Sequence, residues 1–433
     1  MQPKEPVLVN VRELHEDGYC TTNAERLVVY GALPGETVMA LPFTRRKRKV
    51  FARTLAVETA SPDRVAPICA VAAECGGCSL QHLEPSRQLA MKQEKLLSLL
   101  RETPPDVVMR PLIGPVSAYR TKARFGAKFV AKKGKVLVGF REKMSPWLTE
   151  TQRCEILAAP VGTMVAPLAE LIGNLTVKDA IPQVEIAVGE DRTALVFRHL
   201  APLSAEDTGH LVAFGGAHDV DIYLQPGNQD SVYLLAGAEG PERLHYSLPD
   251  YGLTFSYHPL DFTQINLVVN KLLVARAIEL LELSPADRVM DLFCGIGNFS
   301  LPIARYVGEV MGLEGVGGAV ARANENAVQN ALSNVSFGVA DLFLGETPEI
   351  KAFGPNKVLL DPPRAGAEAV CKILASHKVE RVVYVSCNPD TLARDARILV
   401  KSGYRMDKAG VVDMFPHTTH VESIACFSNP QAS

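Results

Sequence analysis

The 433-residue chain contains no run of about 18 apolar residues, which excludes a helical membrane span. Its first residues, MQPKEPVLVNVRELHEDG, lack the apolar core of a secretory signal, so a cytoplasmic protein that contacts no membrane is expected. No repeat or low-complexity segment is present, which excludes a repeat array. There is little net charge: −3 gives no overall field that would draw the chain to nucleic acid. Charge is uneven, however. Thr44–Lys49 (TRRKRK) sets five cations in a row, and Tyr119–Lys135 (YRTKARFGAKFVAKKGK) is a second cationic stretch. A hydrophobic content of 47% and a charged content of 21% are those of a soluble globular protein, and the length suits two to four domains. Nine cysteines, unevenly spaced, do not read as a disulfide framework in a cytosolic chain; metal binding or catalysis is the better expectation.

Three patterns succeed one another. Residues 1–62 alternate apolar and polar in short segments broken by Gly and Pro, which predicts a small β-barrel of the oligonucleotide-binding kind. Ser61–Pro67 (SPDRVAP) reads as a linker into a cysteine-rich segment, and a helix follows over 85–101 with Leu89, Leu96, Leu97 and Leu100 near helical spacing. From 113 to 261 strand and helix signals mix, as in an α+β domain. From 262 onward helical runs alternate with the apolar strands DRVMDLF, VGEVMGLE, NVSFGVAD, KVLLDPP, ERVVYVS and SIACFS. That alternation predicts a doubly wound, mostly parallel α/β sheet of Rossmann type.

Val289–Ala304 (VMDLFCGIGNFSLPIA) reads as strand, tight Gly-x-Gly turn and helix. Glycine lets the backbone turn sharply and lie close to a ligand. Asp291 precedes the turn, and Glu314 ends the next strand, where a carboxylate accepts from both ribose hydroxyls. Gly295 and Gly297 are followed by Asn298 and Phe299, so the third glycine of the dinucleotide fingerprint is missing. A short turn without a diphosphate cradle fits S-adenosylmethionine better than NAD. Asp341, ending the third strand, is placed to reach the adenine.

Leu359–Gly366 (LLDPPRAG) puts Asp361 at the end of the fourth strand, with Arg364 where methyltransferases acting on exocyclic amines carry an aromatic. Cys387 ends the fifth strand just before a helix that begins near Pro389, a place where ligands bind and where the helix's positive end favours thiolate. Carbon 5 of uracil is a poor nucleophile until a thiolate adds to carbon 6. The carbon-5 proton must then leave, which needs a base. Glu422, before the last strand, is available for that task. His417 and His420 lie at a loose spacing that reads as incidental rather than as a metal pair.

Cys69, Cys75 and Cys78 follow a C-x5-C-x2-C spacing with two glycines in the last gap, and Cys154 is the natural fourth ligand. Four thiolates hold zinc or an iron–sulfur cluster, and spacing leaves both open. The spacing does not match radical S-adenosylmethionine enzymes.

Taken together, these motifs resemble the RNA (uracil-5-)-methyltransferase family over nearly the whole chain, and most closely its branch acting on 23S ribosomal RNA. The resemblance implies a TRAM barrel over 1–62 and a central domain over 63–80 and 113–261 holding a [4Fe–4S] cluster on Cys69, Cys75, Cys78 and Cys154. It implies a methyltransferase domain over 81–112 and 262–433, against which the helix near 85–101 packs. It further implies cofactor contacts from Gln264, Phe293, Asn298, Glu314, Asp341 and Asp361, with Phe262 near the target base, Cys387 as nucleophile and Glu422 as base. The expected partner is 23S ribosomal RNA and the expected state is a monomer. Alternative targets are another uridine of 23S RNA or one of transfer RNA. Two readings of a different class, an iron–sulfur protein that only binds RNA and a non-catalytic assembly factor, conflict with the Gly-x-Gly turn and Glu314.

Overall fold

The computed structural model describes residues 5–237, 243–345, 347–377 and 379–431. Five strands close a barrel at the N-terminus: β1 (Val7–Leu14), β2 (Tyr19–Thr22), β3 (Leu27–Tyr30), β4 (Thr37–Arg46) and β5 (Lys49–Thr59), in the order β1-β2-β3-β5-β4. β1 and β4 pair to complete it, and Val9, Val11, Val29, Val38 and Ala52 fill its interior. The basic run forms the β4–β5 hairpin tip, where Arg45, Arg46, Lys47 and Arg48 are exposed. The stretch read as a linker is pinned to this barrel. Arg64 forks onto the fully buried Glu36, with Nη2 donating to Oε2 at 2.6 Å and to the Gly31 carbonyl at 2.8 Å.

Helix α1 (Pro85–Leu99) follows, with Pro85 at its first turn and the Glu84 side chain capping Arg87. Its buried face is Gln88, Lys92 and Leu96, so two polar residues occupy positions that leucine spacing would assign to solvent. A two-residue strand, β6 (Val107–Val108), then joins the edge of the C-terminal sheet. The middle of the chain forms a six-stranded sheet, β12-β11-β10-β9-β7-β8, from β7 (Lys122–Val130), β8 (Lys135–Gly139), β9 (Gln183–Val188), β10 (Thr193–Arg198), β11 (Asp221–Gln225) and β12 (Tyr233–Ala236). Helices α2 (Val165–Asn174) and α3 (Ala205–His218) cover it. The hairpin of β13 (Leu244–Leu248) and β14 (Leu253–Tyr257) comes next, and its Leu244, Tyr246 and Phe255 belong to the core of the C-terminal sheet.

That sheet has eight strands in the order β17-β16-β15-β18-β19-β21-β20-β6. Its strands are β15 (Arg288–Leu292), β16 (Glu309–Glu314), β17 (Val335–Val339), β18 (Lys357–Leu360), β19 (Arg381–Ser386), β20 (Arg405–Val412) and β21 (Glu422–Ser428), alternating with α4 (Leu267–Leu281), α5 (Ser300–Ala304), α6 (Gly317–Gln329), α7 (Pro348–Phe353), α8 (Glu368–His377) and α9 (Pro389–Lys401). β15 to β19 pair in parallel; β21 runs antiparallel to β19 and β20. Successive residues point to opposite faces. Val289, Leu359 and Val383 therefore join one core with α4, and Met290, Leu360 and Tyr384 join the other with α1, α8 and α9. β20 was not foreseen: the bulge between Met406 and Lys408 breaks the period-two pattern that would have marked it. Strand order reverses between β15 and β18, and open α/β sheets bind ligands in the crevice at such a switch.

Candidate active site at the carboxyl edge of the sheet

The parallel strands end at one edge, and the antiparallel β21 begins there. Read across the sheet, that edge carries Asp341 after β17, Glu314 on β16, the glycine turn after β15, Asp361 after β18, Cys387 after β19 and Glu422 on β21. Ser386 pairs with Ser423, so Cys387 and Glu422 are the next residues outward on adjacent strands. Neighbouring strands lie about 4.8 Å apart. The thiol, the glycine turn and all four carboxylates thus share one side of the molecule.

The turn is built by backbone geometry. Phe293 takes φ +66°, a conformation side chains rarely adopt, followed by Gly295 at +54° and Gly297 at +91°. A Cβ on Gly295 would meet no atom within 4 Å, so that face is open to a ligand; on Gly297 it would press on Leu301 and Phe337 at 3.3 Å. Glu314 faces the turn, accepting from the Gly295 amide at 3.3 Å and from the Val316 amide at 2.9 Å. The Phe293 ring lies 5.6 Å from that of Phe343, and the Phe343 amide donates to Asp341 at 3.0 Å. Asn298 is held internally: its Oδ1 accepts from Tyr246 and Asn270, both at 2.9 Å, and its Nδ2 donates to Asn270 at 3.0 Å.

Charge is concentrated where the thiol sits. Burial pushes the Cys387 thiol up to about 11, the nearby Glu422 and Asp361 carboxylates add to that rise, and Arg364 opposes it. This reverses the expectation that the helix N-terminus would favour thiolate: burial, with two carboxylates from other strands, outweighs it. Glu422, 3% exposed, is raised well above the usual carboxylate range by burial and by Asp361, with Arg364 again opposing. Asp361 is raised to about 7 by burial and by Asp291. Asp291 is fully buried and also raised to about 7, mainly by burial; Ser300 donates to its Oδ2, while Oδ1 has no hydrogen-bond partner among the described residues. The loop carrying Arg364 is rigid. Asn388 donates to its carbonyl at 3.0 Å, Arg394 to that of Ala365 at 2.9 Å, and Asp395 accepts from the Ala367 amide at 2.7 Å. Gly366 is required there, because a Cβ would lie 2.6–2.8 Å from Arg394, Asp395 and Thr391.

Residues 258–266 join β14 to α4. Phe262 is 72% exposed and Gln264 half-buried. Asp261 anchors the segment, accepting at one carboxylate oxygen from the His258 amide at 2.7 Å and from Arg322 at 3.1 Å. Lys122 donates to the Asp261 carbonyl, and burial lowers its pKa to about 8.

Residues 243–429 match the tRNA (Uracil-5-)-methyltransferase family. The 23S rRNA (uracil(1939)-C(5))-methyltransferase RlmD of Alkalilimnicola ehrlichii is 47% identical over 433 residues, spanning 98% of this chain and 97% of that protein. That of Nitrosococcus oceani is 48% identical over 436 residues, spanning 98% and 96%. This chain belongs to the RNA (uracil-5-)-methyltransferase family. Among solved structures, the tRNA (uracil-54, C5)-methyltransferase of Pyrococcus abyssi, in complex with S-adenosyl-L-homocysteine, superposes with a TM-score of 0.74 at 26% identity, over 97% of this chain and 100% of that one.

In this uracil-5-methyltransferase the four predicted metal cysteines feel one another's charge: Cys69, Cys75 and Cys154 all raise the Cys78 thiol, which burial pushes up to about 12. Cys154 reaches about 11, chiefly through burial. Lys143 reaches into the same loop, donating to the Ala72 carbonyl and, at 2.7 Å, to that of Cys75. Glu74 is paired instead with Arg53 at 3.0 Å. Three cysteine sulfurs thus raise a fourth, and the half-buried Lys143 ammonium lies at the same loop. Among the described residues, no group of three or more His, Cys, Asp or Glu side chains is arranged to hold a single metal ion.

Sequence reasoning missed Arg364 as the cation facing Cys387 and Glu422, although it stood in the quoted motif. It also missed Gln88 and Lys92, whose only signal was polarity on a helix face, and it read His417 as incidental.

Proposed function

We propose that this protein transfers a methyl group from S-adenosylmethionine to carbon 5 of a uridine in 23S ribosomal RNA, the uridine at position 1939 for which its curated relatives are named. The observation that carries the reading is the adjacency of Cys387 and Glu422 on paired strands, with Asp361 between them and the Glu314–Asp341 end of the cleft. Near-complete coverage at 47–48% identity favours the ribosomal target over transfer RNA, where the solved relative stands at 26%.

The target uridine is splayed out of its stack so that carbon 6 is reachable. Phe262, whose ring is exposed, packs on the base. Cys387 gives up its proton to solvent and its thiolate bonds to carbon 6, leaving an enolate whose carbon 5 is nucleophilic. The bound sulfonium supplies an electrophilic methyl group. Glu314 holds the ribose hydroxyls, Asp341 the adenine, and Asp361 with Gln264 the methionine end; Phe293 and Asn298 line the turn. Glu422 then takes the carbon-5 proton, and the bond to Cys387 breaks with return of the thiolate and restoration of the ring double bond. Burial and Asp361 raise the proton affinity of Glu422, which suits an acceptor at that step, and Arg364 opposes the rise.

The metal reading is that Cys69, Cys75, Cys78 and Cys154 hold a [4Fe–4S] cluster. It is supported by the coupled thiols and by Lys143 as counter-charge. When bound, it supplies a cross-link between the 69–78 loop and the segment at 154. The division into a TRAM barrel (1–62), a central domain (63–80, 113–261) and a methyltransferase domain (81–112, 262–433) fits β6 on the catalytic sheet and α1 in its core. The exposed β4–β5 tip would hold RNA phosphates.

The test is to incubate the protein with unmodified 23S RNA and with unmodified transfer RNA, then map 5-methyluridine by mass spectrometry. Methyl groups at uridine 1939 alone are expected. Product only at another 23S position or only in transfer RNA would overturn the target.

A further inference from the structure

Glu422 is the first residue of β21, and the nine residues before it, 413–421, form the loop from β20. That loop is held from outside the catalytic sheet along most of its length. Lys92 of α1 donates to the Asp413 carboxylate at 2.7 Å and to the Phe415 carbonyl at 2.9 Å. Tyr119 donates to the Pro416 carbonyl at 3.1 Å, and its ring packs with Cys78 in one apolar cluster.

The strongest hold is on His417. It is 4% exposed and adopts φ +64°, which a histidine keeps only where its surroundings impose it. The amides of Ser79 and Leu80, directly after Cys78, both donate to its carbonyl at 2.9 Å. Its own amide donates to Gln88 Oε1 at 2.8 Å. Gln88 Nε2 in turn donates to the carbonyls of Leu80 at 3.0 Å and Leu83 at 2.7 Å. The cysteine segment, α1 and the catalytic loop therefore close one hydrogen-bonded ring around His417. The reaction proposed above uses no imidazole there. The arrangement does serve to fix where β21 begins.

We propose that Ser79, Leu80 and Gln88 form a strut that holds His417 in its left-handed shape and thereby places Glu422, so that the metal site acts on catalysis by anchoring Cys78 rather than by electron transfer. Gln88 and His417 are positioning residues. The inference rests on Glu422 being the base and on the cysteines holding metal, and the experiment separates it from both.

The variant Gln88→Leu is compared with wild type as purified anaerobically, after iron and sulfide are counted. Retained S-adenosylmethionine binding shows that the variant is folded. Expected are a fall in kcat of at least fivefold with KM for RNA within twofold, unchanged iron, and faster amide hydrogen exchange in 413–421 but not in 381–386. His417→Gly, which tolerates positive φ and keeps the carbonyl, should retain kcat within about threefold, whereas His417→Ala should lose as much as Gln88→Leu. Stripping iron from the wild type with a chelator should speed exchange in 413–421 likewise.

Unchanged exchange and kcat in Gln88→Leu would overturn the strut. Iron loss that leaves 413–421 protected would overturn its link to the metal. If wild type holds neither iron nor sulfide, the cluster reading falls by itself, and the Gln88 and His417 variants still decide the strut. Should Gln88→Leu fail to bind S-adenosylmethionine, the glycine–alanine contrast at His417 decides it.

Discussion

Cys387 and Glu422 stand opposite each other one step beyond the Ser386–Ser423 pair of two antiparallel strands. Sheet register pairs the two strands, and the hold on the loop before β21 fixes where that strand begins. A nucleophile and a base carried on separate strands can each be removed without displacing the other.

Removing each should have a different outcome. Cys387→Ala should abolish methyl transfer while S-adenosylmethionine still binds, because the thiol makes carbon 5 reactive and plays no part in holding the cofactor. Glu422→Gln keeps the nucleophile but not the proton acceptor. It should slow turnover by about 10²–10⁴-fold and trap protein joined to methylated RNA. That adduct is read as a slowly migrating band on a denaturing gel; its presence in Cys387→Ala would contradict the assignment.

The Cys387 thiol, pushed up to about 11, fixes the pH dependence. Below that value the thiolate fraction rises tenfold per pH unit, so single-turnover methylation should climb with a slope near +1 from about pH 6 to 9 where attack limits the rate. Arg364→Met removes the cation that favours the charged forms of both Cys387 and Glu422. Its profile should move to higher pH, with at least a tenfold loss at pH 7. An unchanged profile would show that Arg364 does not act on the thiol.

Much of this edge was legible before any coordinates. The glycine turn, Glu314, Asp361, Cys387 and Glu422 each announce themselves because strand-end residues follow a recognisable apolar run. What was illegible depends on partners distant in sequence. The thiol's reluctance to ionise comes first from its burial and then from Glu422 and Asp361, carried on other strands. Gln88 and Lys92 look like the solvent face of α1 until Asp413 and His417 are seen beneath them. Arg64 looks like linker until the buried Glu36 appears. A sequence shows the residue that pays a burial cost, and only the fold shows the group that offsets it.

Asp291 predicts a stability effect of opposite sign to the usual carboxylate. Its pKa is raised from the ordinary 3.8 to about 7 in the folded protein, so between those values the folded state binds a proton that the unfolded state has lost. Stability is therefore greatest at the acid end of that window, falls as pH rises through it, and stays lower above pH 7. The thermal midpoint of cofactor-free protein should drop by several degrees between pH 5 and 8. Asp291→Asn should flatten that slope and be more stable than wild type at pH 8, as measured by scanning calorimetry.

Lys92 is 1% exposed and bonded to Asp413 at 2.7 Å. Burial lowers its pKa, and the Asp413 charge opposes that shift. Lys92→Met keeps the apolar stem but strands a carboxylate and the Phe415 carbonyl. Breaking one side of a buried pair costs about 3–5 kcal/mol. The urea midpoint should fall accordingly, and Lys92→Met with Asp413→Asn together should recover part of the loss. Equal midpoints for the single and double variants would show that the pair contributes nothing of its own.

The β4–β5 tip offers a test of RNA contact that is independent of chemistry. Arg45, Arg46, Lys47 and Arg48 are exposed at the end of a closed barrel, and Arg46 reaches the Met144 carbonyl at 3.1 Å, which ties the tip to the loop after β8. Each phosphate contact made by such a cation contributes about 0.7–0.9 to the slope of log K against log salt. Replacing Arg45 and Arg48 by Ala should therefore weaken RNA binding at 100 mM salt and reduce that slope by about 1.5, while kcat at saturating RNA stays within twofold. If kcat falls and the salt slope does not change, the tip acts on the active site rather than on phosphate.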